Sequence, residues 1–188
     1  MSLTALLVPT YTQMLKTLSN WLDKANEQLP PSQAQDLLSA RLAPDMFPLS
    51  TQIRFTCVQA QEAVFRLKGE VFPESLNTLL EEGRAAVDQP GSMDAAQARI
   101  SQTLELVNSL KPNDLDMSPD APLVHSLPNG MIFDLTAEQY ARDWTLPQFY
   151  FHLMTAYAIL RNAGVSIGKA DYVPHMFPYL RPDSMPKG

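Results

Sequence analysis

His152 is the side chain of this sequence best suited to chemistry. It lies in the segment PQFYFHLMTAYAIL, whose apolar spacing predicts a helix. Four residues share its helical face: Gln148, Phe149, Ala156 and Ile159. Because most of that face is apolar, we expect the imidazole to point inward, where both ring nitrogens need partners. His152 is therefore either a core histidine with satisfied nitrogens or a pocket residue that acts as a ligand, base or hydrogen-bond donor.

A metal site would need three or four converging ligands. The three histidines are His125, His152 and His175, and no two of them are four residues apart. The sequence therefore contains neither an HxxxH nor an HExxH pattern. Spacing gives no support for zinc, although residues distant in the chain can still converge in space.

Cys57 is the single cysteine, which excludes an intramolecular disulfide and fits a reducing compartment. It falls on a predicted apolar helical stripe, so a core position is favoured over a nucleophile. No GxSxG, GxGxxG or P-loop pattern occurs. These motifs therefore give no indication of a known catalytic site.

Composition narrows the class of protein. The 188 residues carry a formal net charge of −6, which argues against nucleic acid as a partner. No apolar run approaches the ~18 residues that a membrane span needs. The opening MSLTALLVPTYTQ lacks the basic region of a signal peptide. We expect a cytoplasmic protein without a membrane partner.

Four long amphipathic helices are predicted, at about 3–28, 49–68, 92–110 and 145–163. Short helical pieces are expected at 32–43, 76–82 and 136–143, the last opened by a capping box of Thr136 and Gln139. Pro9 is expected to be tolerable only in a first helical turn. Thr145 is predicted to cap the last long helix, which Gly164 ends.

The stretch 111–135 differs from the helical segments. It contains Pro112, Pro119, Pro122 and Pro128. Asn129-Gly130 stands between VHSLP and MIFDL, a strong signal for a β-hairpin. We therefore predict an all-α protein, an antiparallel four-helix bundle with a small β-hairpin before the last long helix. The bundle domain is predicted to span 1–172, and 173–188 to form an irregular Pro-rich tail.

Several segments resemble one bacterial family. The opening YTQMLKTLSNWLDKA and the later PLSTQIRFTCVQAQEAVFRL are similar to its first two helices. LPQFYFHLMTAYAILRNAGVSIGKADY resembles its most recognisable stretch, which closes here on Gly168, Lys169, Asp171 and Tyr172. Over about 1–172 the chain thus resembles domain of unknown function number nineteen ninety-three, a branch of the DinB/YfiT-like four-helix-bundle superfamily.

That resemblance implies a specific site. The wider superfamily contains metal-dependent enzymes, among them thiol transferases, whose metal is held by one histidine of the second helix and two of the fourth. Here His152 alone matches, while Gln148 and Gln59 stand near the other two positions. Carboxamide oxygens are weak ligands for transition metals. A divalent metal is therefore disfavoured, and if one binds, His152 is the residue expected to hold it.

Two functions remain open at this point. The preferred one is an uncharacterised DinB-like bundle, homodimeric, whose small-molecule pocket near His152 is formed with Gln148 and Gln59 and represents a degenerate metal site. The alternative is a metal-dependent transferase or hydrolase acting on a small substrate, for example a thiol-linked one. A phosphotransfer bundle ranks lower, because a histidine that receives a phosphoryl group must be exposed. Fold alone does not decide between them.

Overall fold

The computed structural model describes residues 2–118, 120–127 and 129–181. This part of the chain is mostly helical, with one two-stranded antiparallel sheet. Its α-helices are α1 Leu3–Gln28, α2 Pro31–Asp36, α3 Leu49–Leu67, α4 Glu74–Ala85, α5 Met93–Asn108, α6 Ala137–Gln139, α7 Leu146–Asn162 and α8 Lys169–Tyr172. The strands are β1 Pro122–Ser126 and β2 Ile132–Thr136. Short 3-10 helices cover Leu37–Ser39 and Pro174–Tyr179, and a π-helical segment covers Tyr140–Thr145.

α3 is the central helix. It packs most extensively against α7 and also against α4 and α5, while α1 packs against α5 and α7. Its buried residues lie on several faces and include Thr51, Gln52 and Arg54 as well as the predicted apolar stripe. Cys57 lies on that stripe, fully buried, and burial raises the pKa of its thiol to about 12.

α4 packs against one side of α3 and is longer than predicted. The prediction was a short helical piece at 76–82, whereas the structure has twelve helical residues there. The inward stripe of α4 contains Leu76, Leu79 and Gly83, and only three such residues made the helical pattern weak in the sequence. This contact accounts for the burial of Arg54, whose Nε lies 3.6 Å from Oε2 of Glu82 on α4.

Glycine and proline end the long helices largely as predicted. Gly69 and Gly164 adopt φ values of +67° and +90° just after α3 and α7, the left-handed conformation that terminates a helix. Pro30 follows α1 at once. The expectation for Pro9 was wrong, since α1 starts at Leu3 and Pro9 lies beyond its first turn, inside the helix.

The predicted hairpin is present with a longer loop than Asn-Gly alone suggests. Pairing ends at Ser126 opposite Ile132, and Gly130 in the connection between them adopts a φ of +88°. On β1 the burial alternates, and Leu123 and His125 face inward. Pro119, Pro128 and residues 182–188 of the predicted tail lie outside the described residues.

α7 has nearly the predicted bounds, but the break predicted before it is absent. The capping box of Thr136 and Gln139 is present, but helical structure then continues through the π segment into α7 without the predicted break. Thr145 does not cap α7. Its hydroxyl donates to the carbonyl oxygen of Gln59 at 3.2 Å and accepts from the Tyr11 hydroxyl at 2.9 Å. Thr145 thus joins the π segment to α3 and α1.

None of the helices in the described ranges is both long and apolar enough to cross a bilayer.

Gly83 provides a test of the contact between α3 and α4. A Cβ atom added there would lie 2.6 Å from the Phe55 ring, which is itself held between Phe47 and His152. Helix propensity alone favours Gly83→Ala by about 1 kcal/mol, whereas overpacking a core costs about 1–3 kcal/mol. We predict that urea denaturation will show Gly83→Ala to be less stable than the parent. Asn77→Ala, on the exposed face of α4, is the control and is expected to be neutral or slightly stabilising. A Gly83→Ala protein at least as stable as the parent would refute this packing.

Candidate functional site

A cavity of about 460 Å³ lies between α3, α4, α7 and the β-hairpin. We call it the histidine pocket, because both His125 and His152 line it. Its other lining residues are Phe47, Phe55, Val58, Gln59, Glu62, Arg66, Phe72, Leu80, Arg84, Ser126, Leu127 and Trp144. A volume of this size, with apolar walls and a few polar groups, is typical of sites for small organic molecules.

One stripe of α3 forms a wall of the histidine pocket. Phe55, Gln59, Glu62 and Arg66 follow one another at steps of four, three and four, which places them on the same helical face. The guanidinium of Arg66 lies over the ring of Phe72, 4.8 Å from its centre. This stripe therefore presents an aromatic ring, an amide, a carboxyl group and a guanidinium to one space.

His152 enters from α7 in a fixed tautomer. Its Nδ1 lies 2.8 Å from Oε1 of Gln52, whose Nε2 donates to the Phe47 carbonyl oxygen at 3.2 Å. Because the Gln52 amide donates through its nitrogen, its oxygen must accept, so His152 carries its proton on Nδ1. Nε2 is left with a lone pair. Burial lowers the pKa of His152 to about 4, and the ring is neutral at pH 7.

His125 enters from β1 and is 3% exposed. Its ring centre lies 4.3 Å from that of Trp144 and 5.6 Å from that of Tyr140, so aromatic rings surround it. Neither of its nitrogens has a hydrogen-bond partner among the described residues. Burial and the nearby charge of Arg66 lower the pKa of His125 to about 4. The ring is therefore neutral at pH 7, with one donor and one acceptor unused.

Gln59 and Glu62 add two further polar groups. Oε1 of Gln59 is buried without a partner in the described part of the chain, although its backbone carbonyl oxygen accepts from Thr145. Burial raises the pKa of Glu62 against the opposing effect of the positive charges of Arg66 and Arg84. Glu62 is half-buried and lines the pocket.

Two of the three predicted site residues lie in this pocket. His152 and Gln59 line it, whereas Gln148 is half-buried on α7 and is not among the lining residues. Gln52, which binds His152, was missed because it lies seven residues before Gln59 on the same helical face, and spacing alone could not choose between them. His125 was also missed, though its alternation with Leu123 on β1 places both on the inward face.

The donor set does not fit the three-histidine metal site of the superfamily. Within residues 2–118, 120–127 and 129–181, no three His, Cys, Asp or Glu side chains lie close enough together to hold a metal ion. The group facing His152 on α3 is the Gln52 amide, a weak ligand beside imidazole. No reaction step through a metal is therefore derived for this chain.

Comparison with known families decides the relationship. Residues 3–173 match the family described as "Domain of unknown function (DUF1993)". This chain belongs to the DUF1993 family. A solved structure, that of a DinB family member protein from Shewanella denitrificans at 1.83 Å resolution, is similar, with a TM-score of 0.72 and 31% sequence identity. The match covers 91% of each chain, so the DUF1993 fold here is DinB-like. None of the curated proteins matches this chain.

The tautomer of His152 is directly testable by nitrogen NMR of the imidazole rings. We predict a proton on Nδ1 and none on Nε2 at pH 7, with the ring staying neutral down to about pH 4. Gln52→Leu removes the acceptor, and the ring is expected to shift toward the Nε2–H form. Gln148→Leu, at the predicted residue outside the pocket, is the control and should leave the signals unchanged. An Nε2–H ring in the parent protein would contradict the described network.

Proposed function

We propose that this chain is a DinB-like antiparallel four-helix bundle that binds a small organic molecule in the histidine pocket, through His125, His152 and Gln59 and without a transition metal. The bundle arrangement is supported by the contacts of α3 with α5 and α7 and of α1 with both of these helices. The part played by Gln148 stays a prediction from the sequence.

The unpartnered imidazole of His125 is the observation that carries this proposal. A buried donor or acceptor without a partner costs about 1–3 kcal/mol, and native proteins rarely leave one in that state. Both nitrogens of His125 are in this position inside a lined cavity. A bound molecule that offers one acceptor and one donor would satisfy both nitrogens, and its apolar body would contact Trp144.

His152 supports the same interpretation. With its proton directed to Gln52, its Nε2 can accept a hydrogen bond from a ligand hydroxyl or amine. Since the ring is neutral at pH 7, Nε2 can also act as a weak base toward such a group. Binding needs only the first of these properties, so a binding protein is favoured over an enzyme.

The metal-dependent transferase or hydrolase is the weaker alternative. It would require ligands to gather around His152, yet the α3 residue next to that ring is an amide. A homodimer stays a prediction from the sequence. Phe151 and Met154 on α7 are exposed apolar residues that agree with it, and they lie outside the histidine pocket.

The proposal predicts that blocking the pocket abolishes binding. Leu127 directly follows β1, is half-buried and lines the pocket, so Leu127→Trp is expected to fill the cavity without disturbing the fold. Val124→Trp places the same residue three positions earlier, at an exposed position that does not line the pocket. We expect saturation-transfer NMR to show bicyclic aromatic acids, alcohols or amines binding to the parent and to Val124→Trp but not to Leu127→Trp.

Two results would contradict the proposed function. If the same compounds bind equally to Leu127→Trp, they occupy another surface. If no compound of the three chemical classes binds the parent, the pocket does not receive small aromatic molecules.

A further inference from the structure

The charge of the histidine pocket indicates which kind of ligand the pocket accepts. This inference rests on the proposed function, that the pocket binds a small organic molecule. Apart from the two histidines, three lining residues are ionisable: Glu62, Arg66 and Arg84. Two positive groups thus oppose one carboxyl group, in a protein whose formal net charge is −6. The pocket is therefore locally positive on an acidic molecule, and a cavity with low-dielectric walls strengthens such a field.

Neither Arg66 nor Arg84 has the kind of partner that Arg99 and Arg142 have. Arg99 and Arg142 pair with Glu82 and Asp143, respectively. Among the described residues, neither Arg66 nor Arg84 has a carboxylate within 4.0 Å, although both lie near enough to Glu62 for their charges to oppose the rise that burial causes in its pKa. A guanidinium without a carboxylate in a lined cavity is suited to bind a carboxylate or sulfonate of a ligand.

The pKa of His125 shows the effect of this positive charge. Arg66 contributes to the lowered pKa of His125, which means that a second positive charge is disfavoured at that place. A cationic ligand would meet the same repulsion from Arg66. An anionic ligand would not, and the neutral ring of His125 would still offer it an N–H donor.

The aromatic side chains that line the pocket indicate the shape of the rest of the ligand. Phe55, Phe72 and Trp144 line the pocket around these groups, and Arg84 is exposed while Arg66 is half-buried. We propose that the histidine pocket selects a planar aromatic monoanion, with its rings among these aromatic side chains and its anionic group near Arg66 and Arg84. No covalent step is part of this proposal.

Two fluorescent probes with the same aromatic skeleton test it. Anilinonaphthalene sulfonate is an anion, and N-phenylnaphthylamine is its uncharged counterpart. We expect the parent protein to bind the anion at least about tenfold more tightly than the amine, equivalent to ~1.4 kcal/mol. Arg84→Gln, at an exposed position, and Arg66→Gln should each weaken binding of the anion several-fold and leave the amine unchanged.

Three further variants test whether the preference for the anion arises from the charges in the pocket. Lys16→Gln removes one positive charge from an exposed position on α1 and should change neither affinity. Leu127→Trp should abolish binding of both probes. Arg66→Lys keeps the charge and should retain part of the preference, which separates the charge of Arg66 from its packing on Phe72.

The outcomes separate this inference from the function on which it rests. If both probes bind with equal affinity in the parent, and neither arginine variant changes the ratio, selection of an anion is refuted while ligand binding stands. If neither probe binds, or both bind equally well to Leu127→Trp, the proposed function fails and the present inference with it.

Discussion

The hydrogen bond between Gln52 and His152 is the interaction on which the rest of the site depends. It joins α3 to α7, the two helices that pack most extensively on each other. Because the amide of Gln52 also holds the Phe47 carbonyl oxygen, it orients the imidazole and fixes its tautomer. The ring then contacts Phe55 edge-on, at 5.2 Å between ring centres. One buried amide thus sets the position of the ring, its proton and the aromatic wall beside it.

Much of the fold could be predicted from the sequence, and the exceptions have physical causes. The ends of α1, α3 and α7 follow from Pro30, Gly69 and Gly164, because these residues act through backbone geometry alone. The extent of α4 and the π segment could not be predicted in the same way. α4 has a narrow apolar stripe, and the π segment is held by tertiary hydrogen bonds of Thr145.

The candidate site could be predicted only in part. His152 was found because a polar residue on an apolar helical face is conspicuous in the sequence. Gln52 and Gln59 occupy the same face of α3, and only the packing of α7 decides which of them meets His152. His125 lies on another element, and its place beside Trp144 depends on how the hairpin folds over α3 and the π segment. Residues that meet only in the folded structure cannot be identified from their spacing in the sequence.

Membership of the DUF1993 family and likeness to a DinB family member define the fold of this chain, but not its chemistry. An amide faces His152 where a metal site would need a stronger ligand. Aromatic rings and two arginines line the same pocket as His125, whose nitrogens have no partner among the described residues. These features support the proposal that the pocket binds an organic molecule.

The most direct measurement of this claim is intermolecular NOE spectroscopy on the parent protein with bound anilinonaphthalene sulfonate. The account predicts contacts from the naphthalene protons to the ring protons of His125 and Trp144. Contacts confined to exposed apolar residues such as Phe151 and Met154 would contradict it.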